Sequence, residues 1–412
     1  MTPDVLLRQI LDPANRADPY PLYAELRKTP VIRGGDSLFI VSTYWEIKSL
    51  LHDPRVSSDA RNLSPGAGDS LLRDDDDASV LPPSFLRLDP PEHDRLRRMT
   101  MRPFGPPETP RRIHDMRGEL DGIVSGLIDG FGDRKRVDLV DDFSYPFPVT
   151  VICRLLGVPR EDEARFHTWA DTIAAGLDPD PDDDPGERRR VVQQARTELG
   201  TYLSGLIDER GSAPGDDMLS ALVAQHGPDG RMSRMELLST AALLLIAGHE
   251  TTVNLITNGM LTLLRNPDVL ARLRDDPHFA VPVVEELLRF EPPVQLLPQR
   301  TTLADIDICD TTITKGSALW LVLASGNRDP QRFAEPDRFD PDREDNQHLG
   351  FGSGIHNCFG APLARLEAQT ALAELARRLD NPRLVEDPPP YRRNAVLRGP
   401  RHLHIEFDGV RG

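Results

Sequence analysis

Phe351-Gly-Ser-Gly-Ile-His-Asn-Cys-Phe-Gly360 leads directly into a helical pattern that runs from Ala361 to Leu379. Gly352, Gly354 and Gly360 flank Cys358 at spacings that suit a tight, irregular loop, where backbone passes close to something large such as a planar cofactor. Leu372, Leu375 and Leu379 recur at helical spacing. Cys358 therefore stands just before a helix N-terminus, where free N–H groups and the positive end of the dipole favour a thiolate. A single thiolate is one known axial ligand of haem iron and pushes electron density toward O–O cleavage. Taken alone, a lone cysteine reads as a small buried hydrophobe, and a loop of Gly, Ser and Asn reads as a turn. The joint pattern separates this stretch from both.

Phe351, Gly352, Gly354, His356, Cys358 and Gly360 fit Phe-Gly-x-Gly-x-His-x-Cys-x-Gly, and Ala361-Pro-Leu-Ala-Arg365 continues it. This resembles the haem-ligand loop of the cytochrome P-450 family, in its bacterial branch. The resemblance implies a mainly α cytochrome P-450 fold, a large helical domain with small β-sheets, formed by residues 1–412 as one domain. It also implies one haem b (iron protoporphyrin IX) held through Cys358, and monooxygenation as the reaction.

Composition narrows the remaining classes. A formal charge of −17 disfavours nucleic acid as a partner. The three cysteines, Cys153, Cys309 and Cys358, are widely spaced and form neither a disulfide framework nor a zinc site. Met1-Thr-Pro-Asp-Val lacks a basic region followed by an apolar run, so no secretory signal is expected. The apolar run near Leu237 to Ala247 falls short of the roughly 20 residues a spanning helix needs. A cytoplasmic protein without a membrane span is the expectation.

Asp18 to Arg27 has a short helical pattern, Leu38 to Ser42 favours a strand, and helix returns at Trp45 to His52. The acidic run Asp74 to Asp77 reads as a solvated loop, which in the family covers the substrate pocket. Leu88-Asp-Pro-Pro-Glu-His-Asp-Arg-Leu-Arg-Arg98 follows, and its prolines can start a helix. His93 and Arg97 stand four apart on one face of it. Two donors on one face suit an anionic group, and the segment resembles the one whose His and Arg hold the haem propionates. Arg95, Arg98 and Arg102 make the same helix basic, a candidate docking face for an acidic redox partner.

Residues 112 to 226 read as mostly amphipathic helices, interrupted by the acidic loop Asp178 to Asp184. Ser233 and Glu236 then form a capping box, and Pro267 supplies a stop. The helix between them should be about 48 Å long at 1.5 Å per residue. Ala247-Gly-His-Glu-Thr-Thr252, at its middle, is a poor helical run, and threonine hydroxyls with a π-type widening would open a carbonyl to water. The alternative is a buried threonine bonded back to its own helix. The stretch resembles the family's oxygen-activation motif, with Glu250 as the acid that feeds protons and Thr251 as the hydroxyl that helps the O–O bond break heterolytically.

In Pro282-Val-Val-Glu-Glu-Leu-Leu-Arg289, Glu286 and Arg289 lie at i and i+3. They resemble the family's buried structural pair, completed by Arg338 of Pro336-Asp-Arg-Phe339. Arg300 and His356 match further propionate donors. Gln295, Leu296 and Leu297 are expected to face the pocket, as are Leu243 and Ala247, and Val396 and Leu397 in a final hairpin from Ala395 to Phe407. These residues suit a hydrophobic small-molecule substrate of the steroid, terpenoid or macrolide class. With no flavin or ferredoxin segment in the chain, a separate ferredoxin and its NAD(P)H-dependent reductase would supply electrons for O2. A peroxide-using haem-thiolate enzyme and a non-catalytic haem-binding protein are the alternatives, and the Glu250–Thr251 pair argues against both.

Overall fold

A computed structural model of the chain describes residues 2–35, 37–64, 83–105, 108–175, 184–227 and 229–412. The run Asp74 to Asp77 and most of the acidic loop Asp178 to Asp184 lie outside them. The architecture is mainly helical with small sheets. Two compact units can be distinguished, each assembled from three separate stretches of chain.

One unit comprises Met1–Asp75, Asn254–Ala361 and Pro382–His404. Its centre is a five-stranded sheet with strands in the order Val31–Arg33, Leu38–Val41, Ala318–Leu321, Leu297–Thr302 and Val56–Ser57. Leu38–Val41 runs parallel to Ala318–Leu321, with Phe39 opposite Leu319, and the other pairings are antiparallel. Because side chains alternate across a strand, the sheet serves two cores. Phe39, Val41, Leu319 and Leu321 pack with Tyr44, Ile47, Phe333 and Leu349. Ile32, Ile40 and Trp320 pack on the other side with Leu6, Ile10, Tyr23 and Leu26. The short helix, the strand and the second helix read near the N-terminus are present as Tyr20–Leu26, Leu38–Val41 and Tyr44–His52, with Val31–Arg33 as a further strand between them.

The expected final hairpin is shifted. Tyr391 pairs with Pro400, and the Arg392 N–H donates to the Gly399 carbonyl (3.1 Å). Residues 393–398 therefore lie at the tip of this turn, where Leu397 bridges to Val294, and the later strands are His404–Glu406 and Gly409–Val410. Asn394 explains the tip, since its side-chain oxygen accepts from the N–H groups of Val396 (2.7 Å) and Leu397 (3.1 Å), a local turn that competes with strand pairing.

The other unit comprises Asp76–Val253, Pro362–Asn381 and Ile405–Gly412. It contains the helices Glu92–Phe104, Arg117–Asp129, Pro146–Leu156, Glu163–Ala175 and Pro185–Ser212. The last two are joined by polar ties at the rim of an aromatic cluster. The Trp169 indole donates to Glu198 (2.9 Å) and the Tyr202 hydroxyl to Asp162 (2.7 Å), beside Phe166.

The long helix Arg234–Arg265 starts at the predicted capping box. The Ser233 N–H donates to Glu236 (2.8 Å) and the Glu236 N–H to Ser233 Oγ (3.3 Å). It is helical throughout, so the widening expected at Ala247–Thr252 is not present. Burial of Leu244, Leu245, Val253 and Leu255 offsets the poor local propensity. No helix among the described residues is long and apolar enough to cross a membrane.

Candidate functional site

Three thiols compete for the ligand role, and their surroundings differ. Cys153 is fully buried on the helix Pro146–Leu156, and burial, with Glu163 adding to it, pushes its thiol up to about 12. Cys309 sits in a tight turn at φ +47°, where partial burial and the nearby Glu46 carboxylate also raise it. Both stay protonated at neutral pH. Cys358 is exposed, as Cys309 also is, and it alone of the three stands just ahead of a helix, Ala361–Arg378.

The loop that carries Cys358 is closed by its own backbone. The Cys358 N–H donates to the Phe351 carbonyl (2.9 Å), the Asn357 side-chain amide donates to the same oxygen (3.3 Å), and the Gly352 N–H donates to the Leu349 carbonyl (2.8 Å). Gly352 and Gly354 take φ of +67° and +70°, the left-handed region that side chains disfavour. Gly354 also lies against the helix Tyr44–His52, so that a Cβ there would come within 2.1 Å of the Leu51 carbonyl oxygen. His52 Nε2 and Ser353 Oγ share a 2.7 Å hydrogen bond that ties the loop to the same helix end.

Behind the loop, Glu286 and Arg289 form the expected pair, both wholly buried. Arg289 donates to both carboxylate oxygens of Glu286 (2.8 and 2.7 Å) and to the carbonyls of Asn327, Pro336 and Arg338. The Asn346 amide donates to Glu286 (3.1 Å), and the Asn327 side chain bridges the Leu288 carbonyl to the Leu349 N–H. The pair thus braces the chain that enters the loop. Arg338 takes part through its carbonyl and not through its side chain, which is 58% exposed and paired with Glu335 and Asp340. The second guanidinium beside Glu286 belongs to Arg343, at 3.5 Å and 10% exposed. The Pro336–Asp340 segment turns Arg338 outward because its backbone is already engaged by Arg289.

In the long helix, Leu243, Ala247 and Thr251 recur every four residues and form a stripe. Ala247 is exposed and Leu243 and Thr251 are half-buried, while Leu244, Leu245, His249, Glu250 and Thr252 are buried around them. The Thr251 hydroxyl donates to the Ala247 carbonyl (2.9 Å), so it is bonded back to its own helix, although on an accessible face. The imidazole of His249 packs edge-on against Tyr145, with ring centres 4.4 Å apart, and the Tyr145 hydroxyl donates to the His167 carbonyl (3.0 Å). This clamp on the opposite face was not legible in the sequence, because aromatic contacts between distant helices leave no local pattern.

His93 and Arg97 lie one turn apart on the helix Glu92–Phe104. His93 is buried and donates from Nδ1 to Asp94 (2.7 Å), and Arg97 is half-buried. Arg300, on the strand Leu297–Thr302, and His356, in the thiol loop, are half-buried as well.

Three expectations need correction. Gln295 does not face a pocket: it is 1% exposed, accepts from the Tyr23 hydroxyl (3.2 Å) and donates to the Pro292 carbonyl (2.7 Å). Leu296, also 1% exposed, belongs to the apolar core with Tyr23 and Trp320. Leu297, Val396 and Leu397 are half-buried and keep their candidacy. The basic face of the Glu92–Phe104 helix carries less free charge than expected, although Arg98 is exposed. Arg95 pairs with Glu236, Arg98 with Asp229 (3.0 Å), and Arg102 with Asp229 (2.8 Å) and Glu108 (3.2 Å), which neutralises the charge locally.

The chain is similar to known proteins over nearly its whole length. The sequence pattern of the cytochrome P-450 family matches residues 85–407. The chain is 41% identical to cytochrome P-450 monooxygenase PikC of Streptomyces venezuelae, over 95% of this chain and 91% of that protein. It is 38% identical to 6-deoxyerythronolide B hydroxylase of Saccharopolyspora erythraea, over 95% and 96% respectively. The solved structure of the cytochrome P-450 PksS from Bacillus subtilis is similar at a TM-score of 0.86 and 30% identity, with 97% of this chain and 99% of that one covered.

Proposed function

The chain belongs to the cytochrome P-450 family of haem b monooxygenases, and from that premise we propose that Cys358 is its thiolate ligand and that it hydroxylates a hydrophobic small molecule. The donor set fits the cofactor. One exposed thiol precedes a helix N-terminus, and His93, Arg97, Arg300 and His356 are cations or hydrogen-bond donors suited to two propionate carboxylates. Haem b, when bound, supplies the iron at which O2 is activated.

The residues around it have separable tasks. Cys358 would hold the haem iron through its sulfur, and its backbone N–H stays engaged with Phe351 so that the loop cannot turn the thiol away. Glu250 sets a buried carboxyl beside the accessible stripe and is the group that would relay protons to it. Thr251 holds a hydroxyl on that stripe, bonded to the Ala247 carbonyl, where it would serve as a hydrogen-bond and proton donor in the haem's oxygen chemistry. Leu243 and Ala247 present apolar surface to substrate, and Leu297, Val396 and Leu397 do the same from their own elements. Glu286 and Arg289 act on folding alone.

The observation that carries this reading is the accessible stripe of Leu243, Ala247 and Thr251 beside a buried acid, in a helix that between Leu237 and Leu263 is otherwise buried except at the half-buried Ile246 and Gly248. A proton-delivering pair is superfluous in an enzyme that starts from peroxide, and in a protein that only binds haem. Substrates of the steroid, terpenoid or macrolide class fit the apolar contacts, and the relative named for 6-deoxyerythronolide B supports the macrolide branch. A separate ferredoxin and its NAD(P)H-dependent reductase supply the electrons.

The test is turnover of a macrolide, steroid and terpenoid panel with ferredoxin, reductase and isotopically labelled O2. One labelled oxygen atom should enter the product. In Thr251→Ala the product formed per NAD(P)H should fall by about 10²-fold, the low end for loss of a positioned proton donor, while the reduced-CO spectrum stays that of wild type. Turnover from peroxide alone, or a Thr251→Ala variant with unchanged coupling, would contradict the reading.

A further inference from the structure

His348 and Glu285 lie just upstream of the thiol loop and within the helix Ala280–Phe290, in positions that no sequence pattern singled out. The peptide of Gly350 packs directly on that helix, where a Cβ would fall 2.4 Å from the Leu288 carbonyl oxygen. Gly350 is buried, so its N–H needs an acceptor inside the protein. That acceptor is His348 Nδ1, at 3.1 Å. A ring nitrogen that accepts carries no proton, so in this neutral imidazole the proton is on Nε2. Nε2 faces the Glu285 carboxylate at 3.2 Å, an acceptor that fixes this tautomer. The His348 side chain is 5% exposed, and its ring packs against that of Phe351.

The chain of contacts continues to the sulfur. The residue after Gly350 is Phe351, whose carbonyl accepts from the Cys358 N–H at 2.9 Å. We propose that His348, held in its Nε2–H tautomer by Glu285, is a positioning residue for the thiolate, because it fixes the peptide that in turn fixes Cys358. This rests on Cys358 being the iron ligand. His348 touches neither substrate nor cofactor in this role, and it acts only through Gly350 and Phe351.

Two replacements divide the imidazole between them. His348→Asn places an amide oxygen where Nδ1 stood and keeps the acceptor for Gly350. His348→Gln places an amide nitrogen near the position of Nε2 and keeps the bond to Glu285, but loses that acceptor. In the haem-loaded protein, hydrogen exchange of the segment 349–358 is measured alongside the fraction of the reduced-CO complex with the red-shifted thiolate band. Exchange should stay within about twofold of wild type in His348→Asn and rise about tenfold in His348→Gln, the scale expected when a buried N–H loses its only acceptor. The thiolate fraction should fall in the second variant alone.

Glu285 is 29% exposed and offers a milder route if His348 variants fold poorly. Glu285→Lys sets a donor against Nε2–H, which favours the other tautomer, and should behave as His348→Gln does. Glu285→Gln retains an acceptor and should match wild type. Identical exchange and thiolate fractions across all these variants, in a protein whose wild type shows the band, overturn the inference alone. A wild type without the band overturns the ligand assignment and the inference with it.

Discussion

Glu286 and Arg289 are both wholly buried, so each carries a desolvation cost that only its partner and the surrounding carbonyls offset. Arg289→Leu leaves the carboxylate uncompensated, and a loss of ~3–5 kcal/mol is expected in denaturant titrations. The two arginines near the pair should separate in the same assay. Arg338→Ala removes an exposed side chain and should shift stability by about 0.5 kcal/mol or less. Arg343→Ala removes a mostly buried cation beside Glu286 and a donor to the Ala334 carbonyl, a cost of ~1–3 kcal/mol. A larger cost for Arg338→Ala than for Arg343→Ala would show that the exposed guanidinium, and not the buried one, completes the network. Glu367 is a different case, 4% exposed on the helix Ala361–Arg378, with burial raising its carboxyl well above the usual range. The fold favours its protonated form. Its contribution is therefore fully present below the unfolded-state value, near 4.5, and is lost as pH rises toward the folded one. Glu367→Gln cannot ionise, so its stability advantage over wild type should grow with pH by up to ~1.4 kcal/mol per unit. A pH-independent difference would contradict the assignment.

At the scale of elements, the thiol loop and its supports were legible because their signals are local. Left-handed glycines, a capping box and an i, i+3 ion pair each occupy a few neighbouring positions, and each appears in the structure as read. Gly354 and Gly352 give the loop a paired test. Gly352→Ala meets no atom within 4 Å and bears only the cost of φ +67°, about 1–2 kcal/mol. Gly354→Ala adds a collision with the Leu51 carbonyl and should reduce haem retention in thermal melts far more. Comparable losses in the two would mean that the loop is not seated on the Tyr44–His52 helix. What the sequence hid is non-local. Alternation along Gln295-Leu-Leu297 does not say which face meets the core, and Tyr23, which decides it for Gln295, is 272 residues away. The outward turn of Arg338 follows from carbonyls claimed by Arg289, a tertiary fact without a sequence pattern. His348 and Glu285 are 63 residues apart and meet only because helix and loop entry are stacked.

For the whole molecule, the chain order is as informative as any motif. The five-stranded sheet joins residues 31–57 to residues 297–321, so the strand that carries Arg300 is positioned by the N-terminal region. Each of the two compact units draws on three separated stretches of chain, and neither could be marked out by a linker or a shift in composition. The formal charge of −17 is spread over a surface whose prominent basic helix is internally paired. A mainly helical P-450 fold around a thiolate loop is thus specified by a few local motifs and many long-range contacts. The central claim is that Cys358, alone among three cysteines, is the iron ligand. Its most direct test is the carbon monoxide difference spectrum of the dithionite-reduced protein, recorded for wild type, Cys358→Ser, Cys153→Ser and Cys309→Ser. A strongly red-shifted Soret band in wild type and in the last two variants, with its loss in Cys358→Ser, is the expected result. Persistence of that band in Cys358→Ser, or its absence from wild type, would contradict the assignment and the mechanism built on it.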